Sequence, residues 1–124
     1  MSRHQIRVES QSVYLPEQSQ PASDRYVFAY TITLTNTGDI AARLLSRHWI
    51  ITDAGEDVQE VRGLGVVGQH PHLSPGESFT YTSGAVLATP AGQMEGSYQM
   101  VGDDGVEFDA LVPPFGLVRR ESLH

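Results

Sequence analysis

From Arg25 to Asn36 the chain alternates with a period of two. Tyr26, Phe28, Tyr30, Ile32 and Leu34 hold the even positions, and Thr31, Thr33 and Thr35 stand between them. Successive side chains of a β-strand point to opposite faces, so this pattern predicts a half-buried antiparallel strand. Asn36-Thr37-Gly38-Asp39 supplies turn chemistry, and Ala41 to Thr52, with Leu44, Leu45, Trp49, Ile50 and Ile51, reads as a central strand. Asp53-Ala54-Gly55 turns the chain again and Asp57 to Arg62 reads as a short strand. Ser74-Pro75-Gly76-Glu77 then introduces Phe79 and Tyr81 in period two. Gln93 to Val101 places Met94, Tyr98 and Met100 on one face. Gly102-Asp103-Asp104-Gly105 returns the chain through Val106, Phe108, Ala110 and Val112, which makes a hairpin.

At the front, Ile6 and Val8 are in even phase while Val13 and Leu15 are in odd phase, so the first strand either bulges near Ser10-Gln11-Ser12 or ends there. Either way it is an edge strand. Pro16 to Ser23 reads as an exposed connection, and Leu117 to His124, after Pro113-Pro114-Phe115-Gly116, as a flexible tail. Seven or eight short strands, turn signals every ~8–12 residues and no amphipathic helix predict an all-β fold, an immunoglobulin-like antiparallel β-sandwich. Trp49 is placed to pack between the sheets, and Tyr26, Phe28, Ile32, Leu34, Phe79, Tyr98 and Phe108 are expected to join it in one core. The 124 residues make one domain, with its core over about residues 3–116.

Composition narrows the function classes. There is no cysteine, which excludes disulfides, thiolate nucleophiles and cysteine-bound zinc and suits a reducing compartment. The formal charge is −7 and all eight basic residues are arginine. A sequence-independent grip on nucleic acid or on an anionic membrane needs clustered basic residues, so neither is expected as a partner. No stretch approaches the ~20 apolar residues of a membrane span, and the expected location is the cytoplasm.

Gly63-Leu64-Gly65-Val66-Val67-Gly68 has the G-x-G-x-x-G spacing of a dinucleotide fingerprint. That fingerprint must open a helix, yet Gln69-His70-Pro71-His72-Leu73-Ser74-Pro75-Gly76 places two prolines and a glycine directly after it. A phosphate loop needs Lys and Ser or Thr where Gln69 and His70 stand. Two readings of the glycines remain open. In one they permit tight or left-handed backbone at a strand end while Val66 and Val67 plug the core. In the other, Gly63, Gly65 and Gly68 expose amides as an anion nest, with Arg62 or Arg47 completing the charge.

Other chemistry is thin. His70-Pro71-His72, near Asp53, Glu56 or Asp57, resembles a metal site only loosely, because two loop imidazoles lack a rigid supporting shell. His48 reads as a structural histidine on a strand, and Asp103 and Asp104 as turn residues. Ser12, Ser46 and Ser83 lack a nucleophile-elbow context. No catalytic residue, metal site or cofactor is expected.

Six separated blocks give a more specific pointer. They are Ser46-Arg47-His48-Trp49-Ile50-Ile51-Thr52-Asp53, Val61 to Gly68, Leu73-Ser74-Pro75-Gly76-Glu77-Ser78-Phe79, Tyr81-Thr82-Ser83-Gly84, Met94-Glu95-Gly96-Ser97-Tyr98 and Pro113-Pro114-Phe115. In this order, from about Arg3 to Phe115, they resemble the ApaG family, also called CorD. The chain departs from that pattern at Gly116, where a basic residue often follows the Pro-Pro-Phe block. The resemblance implies a fibronectin type III or immunoglobulin-like sandwich with no established catalytic residues. It also implies a genetic neighbourhood with diadenosine tetraphosphate hydrolase and a ribosomal RNA dimethyltransferase, and an association with cobalt and magnesium efflux. In eukaryotic relatives the domain is joined to an F-box protein and to a DNA-polymerase-interacting protein. The expected function is therefore a non-enzymatic protein-interaction module using the glycine loop. The alternatives are a phosphate, pyrophosphate or dinucleoside-polyphosphate sensor and an accessory factor in cobalt/magnesium efflux. The residues implicated by the loop are Arg47, Arg62, Gly63, Gly65 and Gly68. Tight nucleotide binding is not expected, given the net charge and the absence of lysine.

Overall fold

A computed structural model describes residues 3–119. Eight strands follow one another: β1 (Ile6–Tyr14), β2 (Tyr26–Asn36), β3 (Ala42–Asp53), β4 (Val58–Leu64), β5 (His72–Leu73), β6 (Ser78–Leu87), β7 (Ala91–Gly102) and β8 (Glu107–Val118). They form two antiparallel sheets, β1-β2-β6 and β4-β3-β7-β8, with the two-residue β5 continuing the line of β4 along β3. The segment between β1 and β2 is an exposed pair of 3-10 turns, as expected from its prolines. Among the described residues no helix is long and apolar enough to cross a membrane.

Alternation on β2 divides as the sequence implies. Phe28, Ile32 and Leu34 are fully buried between the sheets. The threonines on the outer face satisfy one another across β6, with oxygen–oxygen distances of 2.8 Å for Thr31–Thr82, 3.0 Å for Thr33–Thr80 and 2.8 Å for Thr35–Ser78. Asn36 is buried where the chain leaves β2. Its amide nitrogen donates to the Ile40 and Leu73 carbonyls and its oxygen accepts the Gly38 N–H, so the turn after β2 carries its own hydrogen bonds into the interior.

Trp49 is the hinge of the core. Its ring meets Tyr30 from the opposite sheet at 5.4 Å, and Tyr98 and Phe115 from its own sheet at 5.9 and 6.0 Å, all edge-on. A second link crosses the sheets where the Tyr81 and Tyr98 hydroxyls lie 2.6 Å apart. Burial pushes both phenols well above their ordinary titration range, so the pair is a neutral hydrogen bond. Phe79 and Phe108 are only partly buried and flank the cluster.

β1 neither bulges nor ends at Ser10-Gln11-Ser12, because its register with β2 is unbroken from Ile6–Asn36 to Tyr14–Phe28. The even phase simply continues through polar residues, since Ser12 faces the neighbouring edge of β8 and donates to the Gly116 carbonyl at 2.6 Å, while Val13 is exposed. The chain is also not loose from Leu117, which is fully buried and paired with Gly92 within β8. β8 runs through Pro113 and Pro114 because it is an edge strand with a register shift there, opposite Glu95, so neither missing N–H breaks the ladder. Residues 120–124 of the expected tail lie outside the described residues.

Replacing Trp49 by Ala removes the ring that joins the sheets and should cost ~3–5 kcal/mol. Guanidinium unfolding would show a correspondingly lower midpoint, whereas a wild-type midpoint would contradict the inter-sheet role of this ring.

Candidate functional site

The glycine segment lies where β4 ends, on the open side of the second sheet. β4 pairs with β3 alone, in one register from Thr52–Val58 to Ser46–Leu64, and all its residues except Gly63 are exposed. Paired residues share a face, so Arg47 lies with Gly63 on the inner face, and Arg62 with His48 on the outer. The missing side chain of Gly63 is what the arginine occupies: an ideal Cβ there would sit 2.7 Å from Arg47 Cζ. The guanidinium then donates through Nη1 to the Leu64 carbonyl at 3.1 Å and the Gly65 carbonyl at 2.8 Å.

Gly65 has φ +63° and its N–H donates to the Leu45 carbonyl at 2.9 Å; a Cβ on it would run into the Gln69 carbonyl oxygen. Val66 and Gln69 exchange two backbone hydrogen bonds of 2.8 Å each, around Val67 at φ +43° and Gly68 at φ +77°. Positive φ at both central positions is the signature of a type I′ hairpin turn. Val66 is buried, but Val67 is 52 % exposed and Leu64 is 78 % exposed. Val67 therefore does not plug the core. The two-residue turn carries its side chain outward, since its neighbour Val66 takes the inward place. A β-branched residue in the left-handed region is a true outlier, strained by ~1–2 kcal/mol.

The structure thus brings Arg47, Gly63 and Gly65 together, puts Gly68 at the hairpin tip, and holds Arg62 on the other face within 3.9 Å of Glu60. A shallow groove beside the strand is lined by Ser46, Arg47, Arg62, Gly63, Leu64 and Gln99. His48 Nε2 lies 3.6 Å from Glu60 on the same outer face as Arg62. The stacking of Arg47 on Gly63 escaped the sequence reading. The one available signal was a glycine inside a strand, and only the register shows which residue it accommodates.

The remaining polar residues hold strand ends. The His70 ring contacts the Leu44 carbonyl at 3.1 Å, while His72 Nε2 lies 2.9 Å from Asp103, so the two imidazoles turn to different partners. His4 Nε2 lies 2.8 Å from Asp104. Burial works to raise the Asp104 carboxyl, but the Val106 amide and the His4 ring, both hydrogen-bonded to it, hold it below its ordinary value.

Two sheets of antiparallel strands, an aromatic inter-sheet core and a glycine hairpin at one open edge define a fibronectin type III or immunoglobulin-like sandwich domain. The family model described as the ApaG domain matches residues 16–102. Protein ApaG of Thiobacillus denitrificans is 60% identical over 122 residues, covering 98% of this chain and 96% of its own length. Protein ApaG of Dechloromonas aromatica is 55% identical over 123 residues, covering 99% and 97%. A crystal structure of the ApaA protein of Bordetella pertussis superposes with a TM-score of 0.92 at 52% identity, covering 96% of this chain and 97% of that one. The chain belongs to the ApaG family.

The loop geometry sets an order among substitutions. Gly65→Ala combines left-handed backbone with a backbone clash and should destabilise by more than the ~1–2 kcal/mol expected of Gly68→Ala, which has open space for the methyl group. Val67→Asn, which tolerates left-handed backbone, should stabilise by ~1 kcal/mol. Thermal unfolding of the three variants checks the ranking, and equal effects at positions 65 and 68 would contradict the Gln69 contact.

Proposed function

We propose that this ApaG-family protein is a non-enzymatic interaction module of the cytoplasm whose contact surface is the glycine hairpin together with β4. The observation that carries this reading is Val67. An exposed valine in left-handed backbone costs stability and returns no burial, and backbone strain of this kind clusters at ligand clamps and contact sites. Leu64 beside it adds a second exposed aliphatic side chain on an edge strand, the setting in which sandwiches accept partner segments.

Several of the donors that an anion nest would use are already bonded inside the loop. The Gly65 N–H donates to the Leu45 carbonyl, the Val66 and Gln69 N–H groups each donate to the other's carbonyl, and Arg47 Nη1 donates to two carbonyls. This favours a protein contact over a polyphosphate sensor. ATP, GTP and diadenosine tetraphosphate should accordingly give only weak, non-saturating shifts of the Gly63, Gly65 and Gly68 amides.

Affinity capture from the source cell, with wild type and a Leu64→Asp/Val67→Asp variant as baits, tests the reading. Both positions are exposed and Asp tolerates left-handed backbone, so the variant should be at least as stable as wild type. It should lose proteins that wild type retains. An unchanged set of captured proteins would reject the surface, and saturable movement of the three glycine amides by a nucleotide would install the sensor in its place.

A further inference from the structure

The sequence of β4, Val58-Gln59-Glu60-Val61-Arg62-Gly63-Leu64, is complementary to itself when reversed about Val61. Glu60 then faces Arg62, Val58 faces Leu64, and Val61 faces its own equivalent. The backbone is in the matching phase. At the two ends of the β3–β4 register the Asp53 N–H bonds the Asp57 carbonyl at 3.0 Å and the Gly65 N–H bonds the Leu45 carbonyl at 2.9 Å. Bonded pairs of an antiparallel ladder recur at every second residue, so Gln59, Val61 and Gly63 bond to β3. The N–H and C=O groups of Val58, Glu60, Arg62 and Leu64 therefore point away from the sheet. No described strand pairs with that side.

Natural sheets blunt such an edge with proline, bulges or inward-pointing charge. β4 has no proline, its register with β3 is unbroken, and its two charges are of opposite sign on the outer face. We propose that β4 pairs antiparallel with β4 of a second copy of this chain, two-fold symmetric about Val61, joining the two larger sheets into one. This deepens the reading of this side of the sandwich as a contact surface, and rests on it, by naming one occupant of the edge.

The register is selected by two independent constraints. Centred on Val61, Glu60 bonds through its backbone to Arg62 of the second copy, and Val58 to its Leu64, whose carbonyl accepts Arg47 Nη1 at 3.1 Å on one lone pair and keeps the other for the new strand, so every outward-pointing backbone group meets another. Slipping by one residue would pair free groups with groups already bonded to β3. Centring on Glu60 or on Arg62 keeps the bonding phase but sets Glu60 against Glu60, or Arg62 against Arg62, and like charges directly opposite destabilise a sheet. Of these registers the Val61-centred one alone satisfies both the backbone and the charges, and it pairs the whole strand. Gln59 then lies opposite Gly63 of the second copy. A single strand pair buries less than the ~1,200 Å² of a stable complex, so the dimer is a weak and reversible one. With −7 on each copy it forms when salt screens the overall repulsion.

The test is sedimentation and amide hydrogen exchange on the full chain at ~0.15 M salt, where charges are screened beyond ~8 Å. Wild type should shift from monomer to dimer as concentration rises. The Val58, Glu60, Arg62 and Leu64 amides should become protected in step, while those of Gln59, Val61 and Gly63 stay protected throughout. Glu60→Arg and Arg62→Glu, each alone, oppose like charges and should associate at least ~10-fold more weakly. An equimolar mixture of these two variants restores both opposite-charge pairs and should associate as wild type does. Both positions are exposed, and unchanged thermal midpoints confirm that each variant folds. A wild type that stays monomeric at every concentration, protection without the alternation, or a mixture no better than its components overturns the pairing. Loss of captured proteins on altering Leu64 and Val67 is scored separately, so failure of self-pairing leaves the interaction-module reading standing, and failure of that capture does not imitate this one.

Discussion

The Arg47 guanidinium over Gly63 is the contact on which the open side of the molecule depends. The side chain rises from the inner face of β3, close enough to Tyr30, Tyr81 and Tyr98 for its charge to bear on their hydroxyls, and ends on the Leu64 and Gly65 carbonyls. Gly63 must lack a side chain to admit the guanidinium. Gly65 must turn left-handed to present its carbonyl while keeping its N–H on Leu45. Val66 is drawn into the core, and Val67 is driven outward into a conformation it would not choose. A charged group at the rim of an aromatic core is costly unless its donors are used, and these donors fix backbone carbonyls that would otherwise face solvent.

Elsewhere on the described surface several polar groups are matched to one another. Along the side where β1 meets β8, Ser12 is bonded to Gly116 and the Arg119 guanidinium lies 5.7 Å from the centre of the Tyr14 ring. The outer face of the smaller sheet carries hydroxyls that pair across β2 and β6. At the far end, the β7–β8 turn receives His4 on Asp104 and His72 on Asp103. Strain, exposed aliphatic side chains and unpaired backbone coincide along β4 and its hairpin. This coincidence is what supports the proposed contact surface.

Much of the fold was legible because period-two alternation is a local property. β2, β3, β7 and β8 announce themselves through alternating aromatic, aliphatic and threonine positions, and Trp49 falls where the sheets meet. What could not be read depended on neighbours distant in sequence. The even phase of β1 passes through serines because a β8 edge stands beside it, and Pro113-Pro114 stays in a strand because that strand is an edge with a shifted register. For the site, the glycines were visible as a pattern and the exclusion of a helix after them followed from Pro71 and Pro75. Which glycine admits a guanidinium, and which valine faces out, required the pairing of Arg47 with Gly63 and the sign of φ at Val67. The complementarity of β4 was present in seven residues of sequence, but it acquires meaning only once the structure shows that strand to be a free edge.

The most direct measurement places a photoreactive side chain at position 67 or, as a control, at position 33 on the outer face of the smaller sheet, and irradiates the source cells. Discrete protein adducts are expected from position 67 and none specific to position 33. Adducts from position 33 alone, or the same adducts from both, would contradict the assignment of the glycine hairpin as the contact surface.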